Sequence, residues 1–296
     1  MQSPLLRQPP RLLLSRPLLH IRSKHTTTPA PNFPEPPLTV STTSAPHYGD
    51  IVTLTINHQP TRNALSRHLT KSLLDSLTTL PDTTRALILA SSIPKVFCAG
   101  ADLRERLTFT EADTLAFLGL LNRTVDTFAS LPFPTIAAIG GAALGGGLEI
   151  ALAADLRVAG KAATLGLPET RIGVIPGAGG TWRLPPIVGR GRALEMMMTG
   201  RRVGAEEAWM WGLVNRLTEE GAEVEGALEL AKECCEGAPR AVEAVKKVVS
   251  GGRGGGADGD GRGREMEGYL EILRTKDRTE ALERFVKKEK VVWKGV

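Results

Sequence analysis

Between residues 51 and 159 one pattern recurs: a short apolar or β-branched run, a stretch of helix length, then another apolar run. Ile51-Val52-Thr53-Leu54-Thr55-Ile56 alternates as a strand does. From Ser66, Leu69, Leu73, Leu74 and Leu77 fall on one face of a helix that ends before Pro81-Asp82. Residues 85–91 read as a buried strand and 111–130 as a second helix, closed by Leu131-Pro132. Residues 134–139, 146–154 and 156–159 then read as strand, short apolar helix and strand. A strand followed by a helix cannot return through a tight hairpin, so successive strands pair in parallel beneath a helical layer. The pattern therefore predicts a layered α/β fold. After Gly189 helices take over, at 190–199, 206–211, 224–235 and 240–250, with a last one near 279–288.

The flanking segments read differently. Residues 1–34 carry Arg7, Arg11, Arg16, Arg22 and Lys24 and no acidic residue, the composition of a mitochondrial transit peptide or of a basic arm. The remaining 32 Lys and Arg equal the 32 Asp and Glu, so the net charge of +5 comes from this segment and gives little reason to expect a nucleic-acid partner. Residues 35–47 continue a Pro-, Ser- and Thr-rich stretch read as a flexible linker, with order expected near Asp50. The Gly-rich residues 251–263 read as a flexible insertion. No apolar run reaches the roughly 18–20 residues a bilayer-spanning helix needs. Cys98, Cys234 and Cys235 lack both a disulfide framework and metal-ligand spacing, and read as reduced structural thiols.

Two glycine-bearing turns and two carboxylates carry the chemistry. In Ala142-Ala143-Leu144-Gly145-Gly146-Gly147-Leu148-Glu149 a strand runs into three glycines and an apolar helix. Such a turn exposes N–H groups at a helix N-terminus, where developing negative charge is stabilised; by itself it is equally a packing turn. Phe97-Cys98-Ala99-Gly100-Ala101-Asp102-Leu103 offers a second exposed amide, at Ala101. Two converging amides make an oxyanion hole. Glu149 stands inside an otherwise apolar run, where a carboxylate must be paired, hydrogen-bonded or functional, although a first-turn glutamate answering the helix dipole would look the same. Glu169 follows Pro168 in a glycine-flanked loop and gains meaning only beside Glu149. Two carboxylates at one oxyanion site allow one to activate water while the other delivers a proton.

The ordered set, 97–103, then 143–149, then Pro168-Glu169 through Ile175-Pro176-Gly177-Ala178-Gly179-Gly180-Thr181, resembles the enoyl-CoA hydratase/isomerase (crotonase) family over residues 48–250 and 275–296. The resemblance implies a spiral core of repeated ββα units at 48–235, a C-terminal helical region at 236–296, and assembly as trimers or dimers of trimers. It implies oxyanion-hole amides at Ala101 and Gly146 and catalytic carboxylates at Glu149 and Glu169. Arg62, Leu65, Asp102, Leu103 and Arg104 match positions lining the CoA and acyl groups, and Phe285 and Lys288 match a C-terminal pair near the CoA. The implied reaction is syn addition of water to a 2-enoyl-CoA, with a general short-chain enoyl-CoA hydratase or an enoyl-CoA isomerase as the alternatives. It requires no metal or redox cofactor, CoA being part of the substrate. Strings 62–66, 98–106 and 135–139 are most similar to the branch acting on methylglutaconyl-CoA in mitochondrial leucine degradation, which implies a matrix location. Some members of that branch bind RNA through the first helix, which here keeps only Arg67, His68 and Lys71 as its basic face.

Overall fold

The computed structural model describes residues 37–251 and 261–296. The transit peptide expected at 1–34 lies outside the described residues, as do 252–260 of the Gly-rich segment. The chain enters as the antiparallel pair β1 (Leu38–Ser44) and β2 (Asp50–Ile56), followed by α1 (Arg67–Thr78). A first turn then comprises β3 (Thr84–Ser91), β4 (Val96–Cys98), α2 (Leu103–Arg106) and α3 (Glu111–Ser130). A second comprises β5 (Thr135–Ile139), β6 (Ala142–Leu144) and α4 (Gly146–Ala153). The third holds β7 (Leu156–Gly160), β8 (Thr164–Gly166), a 3₁₀ turn at Glu169–Ile172, α5 (Gly180–Val188) and α6 (Arg190–Thr199). Next come β9 (Arg202–Gly204), α7 (Ala205–Met210), β10 (Arg216–Thr218), α8 (Glu223–Cys235), α9 (Pro239–Ser250), α10 (Gly261–Leu273) and α11 (Lys276–Lys287).

Each turn gives one strand to a six-stranded sheet, β1-β2-β3-β5-β7-β10, and one to a four-stranded sheet, β4-β6-β8-β9. β3, β5 and β7 are parallel neighbours, as are β4, β6 and β8. This is the spiral of ββα units that the resemblance implies. One face of the larger sheet buries Leu69, Leu73 and Leu77 of α1 and Phe117, Leu121 and Phe128 of α3. The other buries Ile88, Ile136 and Val158 against Ala227, Leu230 and Ala231 of α8. α1 starts where expected because Ser66 Oγ accepts from Leu69 N–H, and α3 because Thr110 and Asp113 cap each other reciprocally.

Two expectations need correction, and one helix is unexpected. Residues 38–44 are no linker: they form β1, in register with β2 from Leu38–Ile56 to Ser44–Asp50. Thr39, Val40, Thr42 and Thr43 suit a strand, but six of the seven residues are exposed, so no inward hydrophobic alternation marks it. Gly261 and Gly263 belong to α10, which packs on α9, with Gly268 buried so closely that a Cβ there would lie 2.8 Å from Val248 Cγ2. α5 runs through Pro185 and Pro186, residues that argue against a helix from sequence. The cysteines are free thiols; Cys98 donates to the Asn63 carbonyl, and burial pushes its pKa up to about 12.

Candidate active site

The site forms where the ends of β4 and β6 meet the start of α4. After β4, Leu65 N–H donates to the Gly100 carbonyl at 2.7 Å and Asp102 N–H to the Leu65 carbonyl at 3.2 Å. In a parallel bridge of this kind the residue between, Ala101, turns its own N–H to the opposite side. There lies the turn into α4. A Cβ built on Gly100 would sit 3.7 Å from the Gly146 nitrogen, and one on Gly146 would sit 4.0 Å from the Ala101 nitrogen. No acceptor among the described residues takes either N–H. Both turns depend on glycine: Gly100 adopts φ +99°, and a Cβ on Gly147 would lie 2.4 Å from the Cys98 carbonyl oxygen.

Glu149, in the first turn of α4, is 2% exposed. Its Oε1 accepts from Ala178 N–H at 2.7 Å and Gly180 N–H at 2.9 Å. Burial raises its pKa, opposed by the amides of Gly180, Ala178 and Gly177 and by the Arg183 charge. Arg183, on α5, locks that loop by donating to the Ala178 carbonyl at 2.9 Å while pairing with Asp126 of α3 at 2.7 Å. Glu169 opens the 3₁₀ turn across the site. Its Oε1 would lie 3.0 Å from a Cβ on Gly145, while its buried Oε2 has no partner among the described residues. Burial pushes its pKa up to about 7, and the Glu149 charge adds to the rise.

Two amides and two carboxyl groups thus surround one small space. The amides can bind an oxygen that gains charge, and the carboxyl groups can take and give protons beside it. Leu65, fully buried, closes one wall, its Cδ1 2.9 Å from a Cβ placed on Gly146. Asp102 caps α2, accepting from Arg104 and Glu105 N–H, while Leu103 and Arg104 are exposed beside it. Arg62 is exposed in a left-handed turn, its carbonyl accepting from Ala99 N–H. Phe285, 81% exposed, and Lys288 sit at the end of α11, which shares no hydrogen bond, ion pair or ring contact with this cluster among the described residues. Sequence reasoning missed the Ala178 and Gly180 amides, Arg183 and Asp126; the run Gly177-Ala178-Gly179-Gly180 was their only local sign. A cavity of about 650 Å³ lies away from here, between the end of α3, α9 and α10. None of the four groups lines it, and the chemistry outweighs its volume.

Residues 47–296 match the family model described as enoyl-CoA hydratase/isomerase. An enoyl-CoA isomerase/hydratase of Zymoseptoria tritici is 44% identical over 277 residues, covering 86% of this chain and 87% of that protein. A mitochondrial methylglutaconyl-CoA hydratase of Pyricularia oryzae is 37% identical, covering 88% and 87%. Among solved structures, an enoyl-CoA hydratase from Bacillus anthracis superposes with a TM-score of 0.82 at 38% identity, covering 88% of this chain and all of its own.

Proposed function

The chain belongs to the enoyl-CoA hydratase/isomerase family, and on that premise we propose that it adds water across 2-enoyl-CoA thioesters, with 3-methylglutaconyl-CoA preferred. The observation that carries the reading is the pairing of two carboxyl groups of raised pKa with two amides from which no described residue accepts. In this reading the thioester oxygen accepts from Ala101 and Gly146, each donor lowering the barrier by about 3–4 kcal/mol as the enolate forms. Glu149, its orientation set by two amides on Oε1, takes a proton from water as the oxygen bonds to the β-carbon. Glu169, partly protonated near neutrality, gives its proton to the α-carbon. Both groups flank one face of the acyl chain, so addition is syn. The two carboxyl groups then exchange a proton with solvent to reset.

The finer features rest on other grounds. The relative from Pyricularia oryzae is described as mitochondrial, which supports a matrix location. Phe285 and Lys288 enter this reading only through assembly: in a homotrimer or dimer of trimers they would serve the CoA of a neighbouring copy. Leu65, Asp102, Leu103, Arg104 and Arg62 would border the CoA and acyl groups. An RNA partner has less support, because Arg67 of α1 pairs with Glu105 and Asp113, and Lys71 with Asp75. That basic face is largely neutralised by its own neighbours. Isomerisation is the second reading, favoured by the description of the Zymoseptoria tritici relative.

The test is loss of the conjugated-thioester absorbance of crotonyl-CoA and 3-methylglutaconyl-CoA with purified protein, together with solvent oxygen in the product. Glu149→Gln and Glu169→Gln should each lower kcat about 10²–10⁴-fold. Full activity in both variants would sink the mechanism, and turnover of 3-enoyl-CoA without oxygen uptake would favour the isomerase.

A further inference from the structure

Arg106 has no part in the reaction just described, and its surroundings are unusual for an arginine. It closes α2, its N–H donating to the Asp102 carbonyl at 2.9 Å, which puts it one helical turn past the Ala101 amide. Its guanidinium carbon lies 3.9 Å from the centroid of the Phe117 ring and 5.5 Å from that of Phe109. Nε is buried and makes no hydrogen bond, and no carboxylate among the described residues forms an ion pair with the side chain. Arg67, 4.1 Å from the centroid of the same Phe109 ring, differs: it pairs with Glu105 and Asp113. The Arg106 side chain is half-buried, and burial lowers its pKa while the charge of neighbouring Glu105 opposes that shift without forming an ion pair. A half-buried guanidinium with an unpartnered Nε and no ion pair suits a ligand that brings a carboxylate.

Its position indicates which part of a ligand. Phe117 belongs to α3; the next residue, Leu118, comes within 2.8 Å of a Cβ placed on Gly177, and Asn122 donates to the Gly177 carbonyl at 3.0 Å. Gly177 opens the loop whose amides hold Glu149. α2, α3 and this loop therefore border one region beside Glu149. In the hydratase reading the β-carbon lies beside Glu149, so an acyl chain whose thioester oxygen is on Ala101 and Gly146 would extend past Glu149 toward this region. We propose that Arg106 is the specificity-determining residue of this site, pairing bidentately with a carboxylate at the far end of a short 2-enoyl chain and so selecting dicarboxylic over neutral acyl groups. The direction of the acyl chain rests on the hydratase reading above. The two phenylalanines suit this role, because a planar guanidinium stacks on aromatic faces and keeps its fork free, which a lysine ammonium does not.

The test compares glutaryl-CoA with valeryl-CoA, saturated thioesters of equal length that differ in the terminal carboxylate and cannot be hydrated. Calorimetric titration of the full chain should show glutaryl-CoA binding about tenfold tighter or more. Arg106→Gln should abolish that preference, and Arg106→Lys should retain only part of it. In parallel, the ratio of kcat/KM for 3-methylglutaconyl-CoA to that for crotonyl-CoA should fall about 30-fold in Arg106→Gln. Equal affinity of the wild type for both thioesters, a preference surviving in Arg106→Gln, or equal losses on both substrates would overturn the assignment. If Arg106→Gln does not fold, an undiminished preference in Arg106→Lys would overturn it. Hydration of crotonyl-CoA without a glutaryl preference removes Arg106 from its role and leaves the hydratase standing. A glutaryl preference without any hydration does the reverse.

Discussion

At the scale of single residues, the site works through unequal treatment of two like groups. Glu149 is buried but held by amides that stabilise its charge, whereas Glu169 is half-buried with its buried Oε2 left without a donor among the described residues. The second therefore keeps its proton to higher pH, near 7. Because the proposed role of Glu169 needs the protonated form, hydration rate should fall as pH rises through about 7, and a pH–rate profile checks this. The same shift has a sign for stability. Between the ordinary carboxylate range and about 7 the folded chain binds more protons at Glu169 than the unfolded chain, so stability declines as pH rises across that window. Thermal melts at pH 5 and pH 8 should show that decline in the wild type and a smaller one in Glu169→Gln. Arg183 acts at one remove. Arg183→Met leaves the Ala178 carbonyl without its donor and frees the loop around Glu149; it should cost about 1–3 kcal/mol by urea denaturation and lower kcat more than it changes KM. None of this pairing is visible in a linear reading. Glu149 is conspicuous as a carboxylate in an apolar run, but nothing in Gly177-Ala178-Gly179-Gly180 says which carboxylate those amides will meet, and nothing in the sequence around Arg106 says that its Nε goes without a partner.

At the scale of elements, legibility follows burial and local hydrogen bonding. α3 has the limits read from sequence because Thr110, Asp113 and Pro132 act within the segment itself. β2 and β3 are legible because their inward residues are apolar. β4, β6 and β8 span three residues each, too few for a period to register, yet β4 and β6 lead into the turns on which the amides sit and β8 into the turn that holds Glu169. α5 is hidden by its two prolines and depends on packing against α4 and α6. The close crossing of β4 and α4 gives the sharpest element-scale prediction. Gly147→Ala places a methyl group against the backbone oxygen of Cys98, so the helix must move and carry the Gly146 amide with it. Both melting temperature and kcat should drop, whereas Leu73→Ala, in the α1 interface away from the amides, should cost about 2–5 kcal/mol while leaving the folded enzyme's kcat close to wild type.

At the scale of the whole molecule, the spiral fixes the site, and the last residues tie its C-terminal end together. Asp277, 4% exposed, accepts from Lys294 and Gly295 N–H, and its own N–H donates to the Val296 carbonyl. Trp293 Nε1 donates to the Glu236 carbonyl just past α8. Removing residues 291–296 should therefore lower the melting temperature and increase hydrogen exchange in α11, with smaller changes in β3, β5 and β7. The opposite edge of the larger sheet has a different consequence. β1 is a mostly exposed ribbon of serine and threonine around one valine, and it covers the open side of β2, whose Val52, Leu54 and Ile56 are fully buried. Without it, an apolar strand with unpaired backbone groups would become an adhesive border for any other copy of the chain. A chain shortened to begin at Pro46 should cloud on concentration where one beginning at Pro37 stays clear, which makes seven nearly featureless residues the guardians of colloidal behaviour for everything folded behind them.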